Sequence, residues 1–330
     1  MPLVSVVLPF RDAETTLRDA VHSILKQEFD DFELIAVDDN STDKSLKSLN
    51  EIKDQRLRIV SNQKREGVVG ATATGLELAT GTWFSRMDAD DLAKPRKITE
   101  QLKVAGNDTG VITCGVEPID SQGEGMNRYV DWVNQLADHE AISRSRFIES
   151  PVINPTAMVR MDWMKKVSGY HDTAWAEDHD LWLRLLAAGC RFGRVAETHF
   201  QWRDSKNRLT RQDLRYGTEA RSRMRAHHLS KLAQIQENGV VIAGAGPIGK
   251  KLALDLKNEE VEVKGFFDVN PKRIGKRIQG IEVASAETMD SRWLGNIMLG
   301  AVGLEGARNT VREMALRADR TEGENFWSVC

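Results

Sequence analysis

Residues 4–39 read VSVVLPFRDAETTLRDAVHSILKQEFDDFELIAVDD. The run "VSVVLP" (4–9) is apolar and β-branched, the composition of a parallel strand buried on both faces. Leu17, Ala20, Val21, Ile24 and Leu25 then recur at helical spacing. "FELIAVDD" (32–39) is a second strand-like run that ends in two acids. Strand, helix, strand is the unit of a parallel sheet, and it sets the expectation for the next hundred residues.

The rhythm continues. "STDKSLKSLNEI" (41–52) is a helix with a Ser/Thr start signal, and "LRIVSN" (57–62) a third strand. "GVVGATATGLELAT" (67–80) reads as a small-residue helix ended by Gly81, and "TWFSRM" (82–87) as a fourth strand. This order predicts an α/β fold, a mainly parallel sheet with helices on both faces. Ligands gather at the carboxyl ends of the strands in such sheets. Pro9 to Asp12, Asp38 to Asp43 and Asp88 to Asp91 stand at such ends. Between about 118 and 160 the pattern loosens, with the turn-rich "DSQGEGMN" at 120–127. "DLWLRLLAAG" (180–189) is a helix with a glycine stop, and "RFGRVAETHFQWR" (191–203) one or two late strands.

The totals narrow the class. The chain has 330 residues, enough for two domains, with 41% hydrophobic and 29% charged residues. It contains no apolar run of about 18 residues. The start "MPLVSVVLPF" reads as a strand rather than a leader. Three widely spaced cysteines argue against a disulfide framework and fit a reducing, cytoplasmic setting. The net charge is −3. A mildly acidic body does not suggest nucleic-acid binding, which requires a basic face. Residues 206–238 are the exception, a basic helical connector. It would face solvent or the anionic head groups of an inner membrane surface.

"RMDADD" (86–91) crowds Asp88, Asp90 and Asp91. Like charges that close repel unless a cation sits between them, so the run is either a metal site or a solvated turn with a helix cap.

Five stretches in order resemble the family 2 glycosyltransferases with the A-type, nucleotide-diphospho-sugar transferase (GT-A) fold. They are "VSVVLPFRDAETTL", "LIAVDDNSTDKS", "NQKREGVVGATATGLELATGTW", "RMDADD" and "GYHDTAWAEDHDLWLRLLAAG". The resemblance covers residues 1 to about 210. It implies that Asp90 binds Mg²⁺ or Mn²⁺ directly, and that Asp88 meets the ribose or the metal's water shell. Oxygen ligands suit those ions, which stabilise the charge of a departing diphosphate. Asp91 is then mostly a helix starter. Asp39 is the acid the family turns toward the nucleobase, usually uracil. Pro9, Phe10 and Asp12 would line base and ribose, and Arg65 and Lys64, at the end of the third strand, would either approach the nucleotide or lie in a solvated loop. Arg11 stands where the family often has Asn. Asp178 is the expected general base for an inverting displacement, supported by Glu177. Acids also suit the start of the helix they open. Asp180 reads as a helix-start acid. Trp182 is either a sugar platform or core, with core favoured by its spacing. Arg203 and Arg208 are expected to meet the diphosphate. Ser205 and Lys206 stand where relatives carry a late histidine, leaving His199 as a fallback. Trp132, Arg144 and Arg146 are candidates for shaping the sugar pocket.

"GVVIAGAGPIGKKLALDLKN" (239–258) opens a second unit. Gly244, Gly246 and Gly249 form G-x-G-x-x-G between a strand and a helix, with Asp268 following the next strand. The unit resembles the small Rossmann-like domains appended to sugar-modifying enzymes of polysaccharide biosynthesis. The four residues would bind a dinucleotide such as NAD(P), or the glycines would only permit tight packing. The absence of a Tyr-x-x-x-Lys pair weakens a redox role. The tail "EGENFWSVC" reads as docked, with Phe326 and Trp327 buried.

The domains expected are therefore 1–205, catalytic; 206–238, connector; and 239–330, Rossmann-like. The leading function is transfer of a sugar from a nucleotide-sugar donor, a UDP-sugar first, to a saccharide or lipid-linked acceptor in cell-surface polysaccharide biosynthesis. The alternatives are an NAD-dependent oxidoreductase or epimerase, and a non-catalytic nucleotide-binding scaffold.

Overall fold

In β1 (Val4–Phe10) every residue is buried, as a strand covered on both faces must be. The computed structural model describes residues 1–120, 123–204 and 209–330. β1 pairs in parallel with β2 (Phe32–Asp38), so that Phe10 lies opposite Asp38. β3 (Leu57–Ser61) extends the sheet beyond β2. β4 (Trp83–Arg86) lies on the other side of β1. The acid-bearing turns therefore emerge along one edge.

The remaining strands of this sheet are β5 (Leu92–Ala93), β6 (Thr109–Ile119), β7 (Met158–Arg160) and β8 (Arg191–Arg203). The order is β3-β2-β1-β4-β7-β6-β8-β5. β7 runs antiparallel to β4 and β6, while β6 and β8 are parallel. The late strand is one long strand, bent by register shifts against β6 around Cys114 to Val116.

Two helices show why the layers close. Leu17–Leu25 buries Leu17, Ala20, Val21 and Ile24 on the stripe expected from its spacing. Val68–Leu78 lies so near the sheet that a Cβ on Gly75 would stand 2.3 Å from Val7 Cγ1. Small residues in that helix are thus a packing requirement.

The chain divides into two compact units. The first comprises Met1–Ile142, Pro151–Thr173 and Glu177–Gln212; the second, Ser143–Ser150, Ala174–Ala176 and Asp213–Cys330. In the second, β9 (Val240–Ala243), β10 (Val263–Asp268), β11 (Arg277–Ile278), β12 (Ile281–Ser285), β13 (Ile297–Gly300) and β14 (Phe326–Ser328) form a sheet of order β11-β12-β10-β9-β13-β14. Its pairings are parallel apart from the β11–β12 hairpin. Phe326 and Trp327 are buried in the edge strand β14.

The basic stretch is largely engaged within the protein. Helix Thr218–Ser230 buries Arg225, whose guanidinium donates to the Ile148 carbonyl. Arg221 pairs with Glu149, Arg215 with Asp213, and Arg211 with Asp204. These pairings leave less free positive charge for a lipid surface than the sequence implies. Among the described residues, no helix is long and apolar enough to cross a membrane.

Candidate active site

The turn after β2 is built around a buried carboxylate. Asp39 is 4% exposed. It accepts from Asn62 Nδ2 at 2.6 Å and from Gly67 N at 2.8 Å, which offset its desolvation. Its own N–H donates to the Phe10 carbonyl at 2.9 Å, locking the ends of β1 and β2 together. Arg11 reaches within 4.0 Å of Asp39 and 3.3 Å of Glu66. A carboxylate offers about four acceptor positions, so two donors leave capacity for a ligand N–H.

Asp12 has a positive φ of 46° and accepts from Thr42 N (2.7 Å), Thr42 Oγ1 and Asp43 N. The Thr42 N–H chiefly holds its carboxyl below the usual range. It stitches the first turn to the second. Pro9 and Phe10 are buried, and Phe10 packs in the core. Arg65 is exposed and pairs with Asp172, while Lys64 pairs with Glu77 at 2.8 Å.

At the end of β4 the three acids separate. Arg86, 6% exposed, donates from Nε to Asp88 Oδ1 at 2.8 Å. Its other arm lies 3.4 Å from Glu177 Oε1. Asp88 and Asp90 remain partly exposed, whereas Asp91 is buried and accepts the Arg203 N–H at 2.8 Å. Arg203 Nε donates to the Asp90 carbonyl at 2.8 Å, and its guanidinium also pairs with Asp120. Asp91 thus fastens the end of β8 and is no helix starter; the next helix begins at Lys97. A local reading of the sequence misses this because the partner lies 112 residues away.

Glu177 and Asp178 open helix Glu177–Ala187. Burial pushes the Asp178 carboxyl up to about 7, with the neighbouring charge of Glu177 adding to it. The His179 N–H and Arg86 act the other way. Asp178 Oδ1 accepts the His179 N–H at 2.7 Å. Tyr170 donates to Asn154 Oδ1 at 2.6 Å, and burial raises its phenol. Asp180 pairs with Arg184 at 2.6 Å. Trp182 is wholly buried, edge-on to Phe192, so it is core and not a sugar platform.

Asp88 and Asp90 would offer oxygen donors of the kind that Mg²⁺ or Mn²⁺ takes. Among the described residues, no group of three or more His, Cys, Asp or Glu side chains forms a protein-only cage. Two carboxylates fit an ion whose shell is completed by phosphate oxygens and water. His199 is buried on β8, and burial lowers its pKa. Ser205, Lys206 and Arg208 lie outside the described residues.

The sugar-pocket candidates divide. Trp132 stacks on Tyr129 in the first unit at 6.0 Å between ring centroids. Arg144 and Arg146 belong to the second unit, where Arg146 lies over the Trp327 ring at 4.2 Å. Sequence reasoning assigned no role to Arg86 or Asn62. The signal for Arg86 was an arginine inside an otherwise apolar strand end.

Residues 5–168 match the model of glycosyl transferase family 2. These residues thus carry a family 2 glycosyltransferase domain, most of which lies in the first unit. An uncharacterized glycosyltransferase of Haemophilus influenzae is 31% identical over 205 residues, covering 57% of this chain and 62% of that protein, so the chain spans less than two thirds of that relative's length. The Escherichia coli UDP-Glc:alpha-D-GlcNAc-diphosphoundecaprenol beta-1,3-glucosyltransferase WfaP is 26% identical over 216 residues, 61% of this chain and 78% of its own length. Among solved structures, the mannosyltransferase PcManGT of Pyrobaculum calidifontis, in complex with GDP-Man and Mn²⁺, superposes with a TM-score of 0.52. It is 20% identical and covers 78% of this chain and 70% of that one, a likeness of fold. The glycosyltransferase domain thus has the expected α/β architecture.

Residues 235–317 match the model of a CoA binding domain, which agrees with a Rossmann-like second unit. Its three glycines do different work. A Cβ on Gly249 would lie 1.8 Å from the Gly244 carbonyl oxygen, so Gly249 serves strand–helix packing. Gly244 has φ 111°, which favours glycine. Gly246 faces open space, with Arg273 Nη1 the nearest atom at 3.9 Å from its would-be Cβ. Asp268 accepts from Asn270 N at 2.7 Å, Ala245 N at 2.9 Å and Arg273 at 3.0 Å. It ties the turn to the next loop.

Proposed function

We propose that the glycosyltransferase domain moves a sugar from a nucleoside-diphosphate donor to an acceptor hydroxyl with inversion, Asp178 acting as base. The observation that carries this reading is the Asp178 carboxyl, pushed up to about 7 and joined through Glu177 and Arg86 to Asp88. A base near neutral pH both ionises and accepts a proton readily.

In this reading Asp39 receives a base N–H and favours uracil, and Asp88 and Asp90 hold the divalent ion. That ion would neutralise charge on the departing diphosphate. Asp178 takes the acceptor's proton. The acceptor oxygen bonds to the anomeric carbon from the face opposite the diphosphate. The bond from that carbon to the diphosphate oxygen breaks, and its electron pair leaves on the diphosphate. Glu177 keeps Asp178 basic by its charge. The name of WfaP supports a UDP-sugar donor, a lipid-diphosphate-linked acceptor and a role in polysaccharide assembly. The PcManGT complex supports a divalent ion beside the nucleotide.

The test is a screen of UDP- and GDP-sugars with Mn²⁺, reading nucleoside diphosphate release and then product linkage. Asp178→Asn should keep nucleotide binding while turnover falls about 10²–10⁴-fold. Undiminished turnover would remove Asp178 as the base. For the second unit, calorimetry with CoA, NAD and NADP distinguishes a nucleotide site at Gly246 from a packing motif.

A further inference from the structure

Among the described residues, Arg86 is the cation that the geometry puts in reach of both halves of the candidate site. From β4 it donates to Asp88 at 2.8 Å on the donor side. It also lies 3.4 Å from Glu177, immediately before the proposed base. The guanidinium is buried, and so is Glu177. A planar fork with five donors can serve two carboxylates at once, which an ammonium does poorly. In a weakly polar interior each of those attractions is stronger than in water, and each draws on the same cation.

The geometry points to Arg86 as a positioning residue that couples donor binding at Asp88 to the carboxylate pair Glu177–Asp178. This rests on the reading given under Proposed function. Asp88 divides between Arg86 and an incoming divalent ion. Whatever strengthens the hold of Arg86 on Asp88 weakens that ion. Glu177 competes for the same guanidinium, so loss of the Glu177 charge tightens the pairing of Arg86 with Asp88. The donor side and the base side therefore communicate through one side chain, without movement of the backbone. Conversely, an ion on Asp88 frees Arg86 to lie against Glu177 and fixes the base pair when the donor is in place.

The test is a double-mutant cycle read by calorimetric binding of UDP, and separately GDP, each with MnCl₂. The proteins are wild type, Glu177→Gln, Arg86→Met and the double variant. Arg86→Lys, alone and with Glu177→Gln, provides a second series if the Met variant fails to fold, as judged by circular dichroism. With Arg86 present, Glu177→Gln should weaken nucleotide–Mn²⁺ binding about five-fold, within the coupling expected for residues sharing a partner. In the Met or Lys background the same change should alter affinity less than two-fold. An equal effect in all backgrounds, or no effect with Arg86 present, overturns the coupling while leaving the glycosyltransferase reading intact. Failure of the wild type to bind either nucleotide overturns both.

Discussion

Replacing Gly249 by Ala should cripple the second unit, while the same change at Gly246 should barely affect it. The two glycines lie three positions apart in one motif, so composition and exposure to denaturant are matched. A methyl on Gly249 would sit 1.8 Å from the Gly244 carbonyl oxygen and 3.0 Å from its carbon. Ordinary contact begins near 3.4 Å, so helix Pro247–Asn258 must retreat by more than an ångström. That retreat lifts Leu252 and Leu256, both buried, from the sheet. Overpacking with such a shift costs about 3 kcal/mol or more. A methyl on Gly246 has no neighbour nearer than 3.9 Å. Gly246 is the N-cap residue in extended conformation, where Ala costs about 1 kcal/mol or less. Hydrogen exchange read by mass spectrometry on peptides covering 240–258 isolates this unit from the other. In Gly249→Ala, amides of the helix should exchange about a hundred-fold faster, the factor for about 3 kcal/mol. In Gly246→Ala they should change less than ten-fold. Equal protection in the two variants would refute the division between a packing glycine and an open one.

Three further outcomes concern the first unit. Glu177→Gln removes the second cause of the high Asp178 pKa while burial remains, so the acid limb of kcat/KM should move down from near 7. An unmoved limb would show that another group titrates. Lys97 is fully buried and donates to Ser85 Oγ at 3.2 Å, and burial lowers its pKa below 10.5. The unfolded chain then binds more protons between that lowered value and 10.5. Stability should therefore rise with pH through this window, and Lys97→Met should flatten the rise in urea titrations. Gly75→Ala, with its Cβ 2.3 Å from Val7 Cγ1, should cost about 1–3 kcal/mol of stability, read as a lower urea midpoint with an unchanged far-ultraviolet spectrum. An unchanged midpoint would mean the helix slides freely over β1.

The sheet was legible where both faces of a strand are buried. β1 and β2 are nearly continuous apolar runs because, apart from the partly exposed Glu33, their residues are buried, and their acids mark where the runs stop. β5 and β7 were not legible. They are two and three residues long, and only pairing with β8, β4 and β6 makes them strands. Helix Glu124–Gln135 escaped notice because it buries only Val130 and Val133, too thin a stripe to read. The carboxylates of the candidate site were visible as residue types at strand ends. What joins them was not: Arg86 meets Glu177 across 91 residues, and Arg203 reaches Asp91 across 112. Such contacts depend on how distant strands are laid together, which local spacing does not encode.

The second unit takes its material from three places along the chain, Ser143–Ser150, Ala174–Ala176 and Asp213–Cys330. No single cut therefore separates the units. A chain ended at Gln212 would retain Phe147 and Ile148, both buried here, without the Trp327 ring that Phe147 meets edge-on at 5.5 Å. Greasy remnants of that kind drive clumping. Trp175, against His227 at 5.2 Å, stands three residues before Asp178 in the chain. The proposed base is thus tethered by a few peptide bonds to a piece of the other unit. Swapping the C-terminal unit among relatives, as if it were a bead on a string, would have to carry those two short inserts along with it.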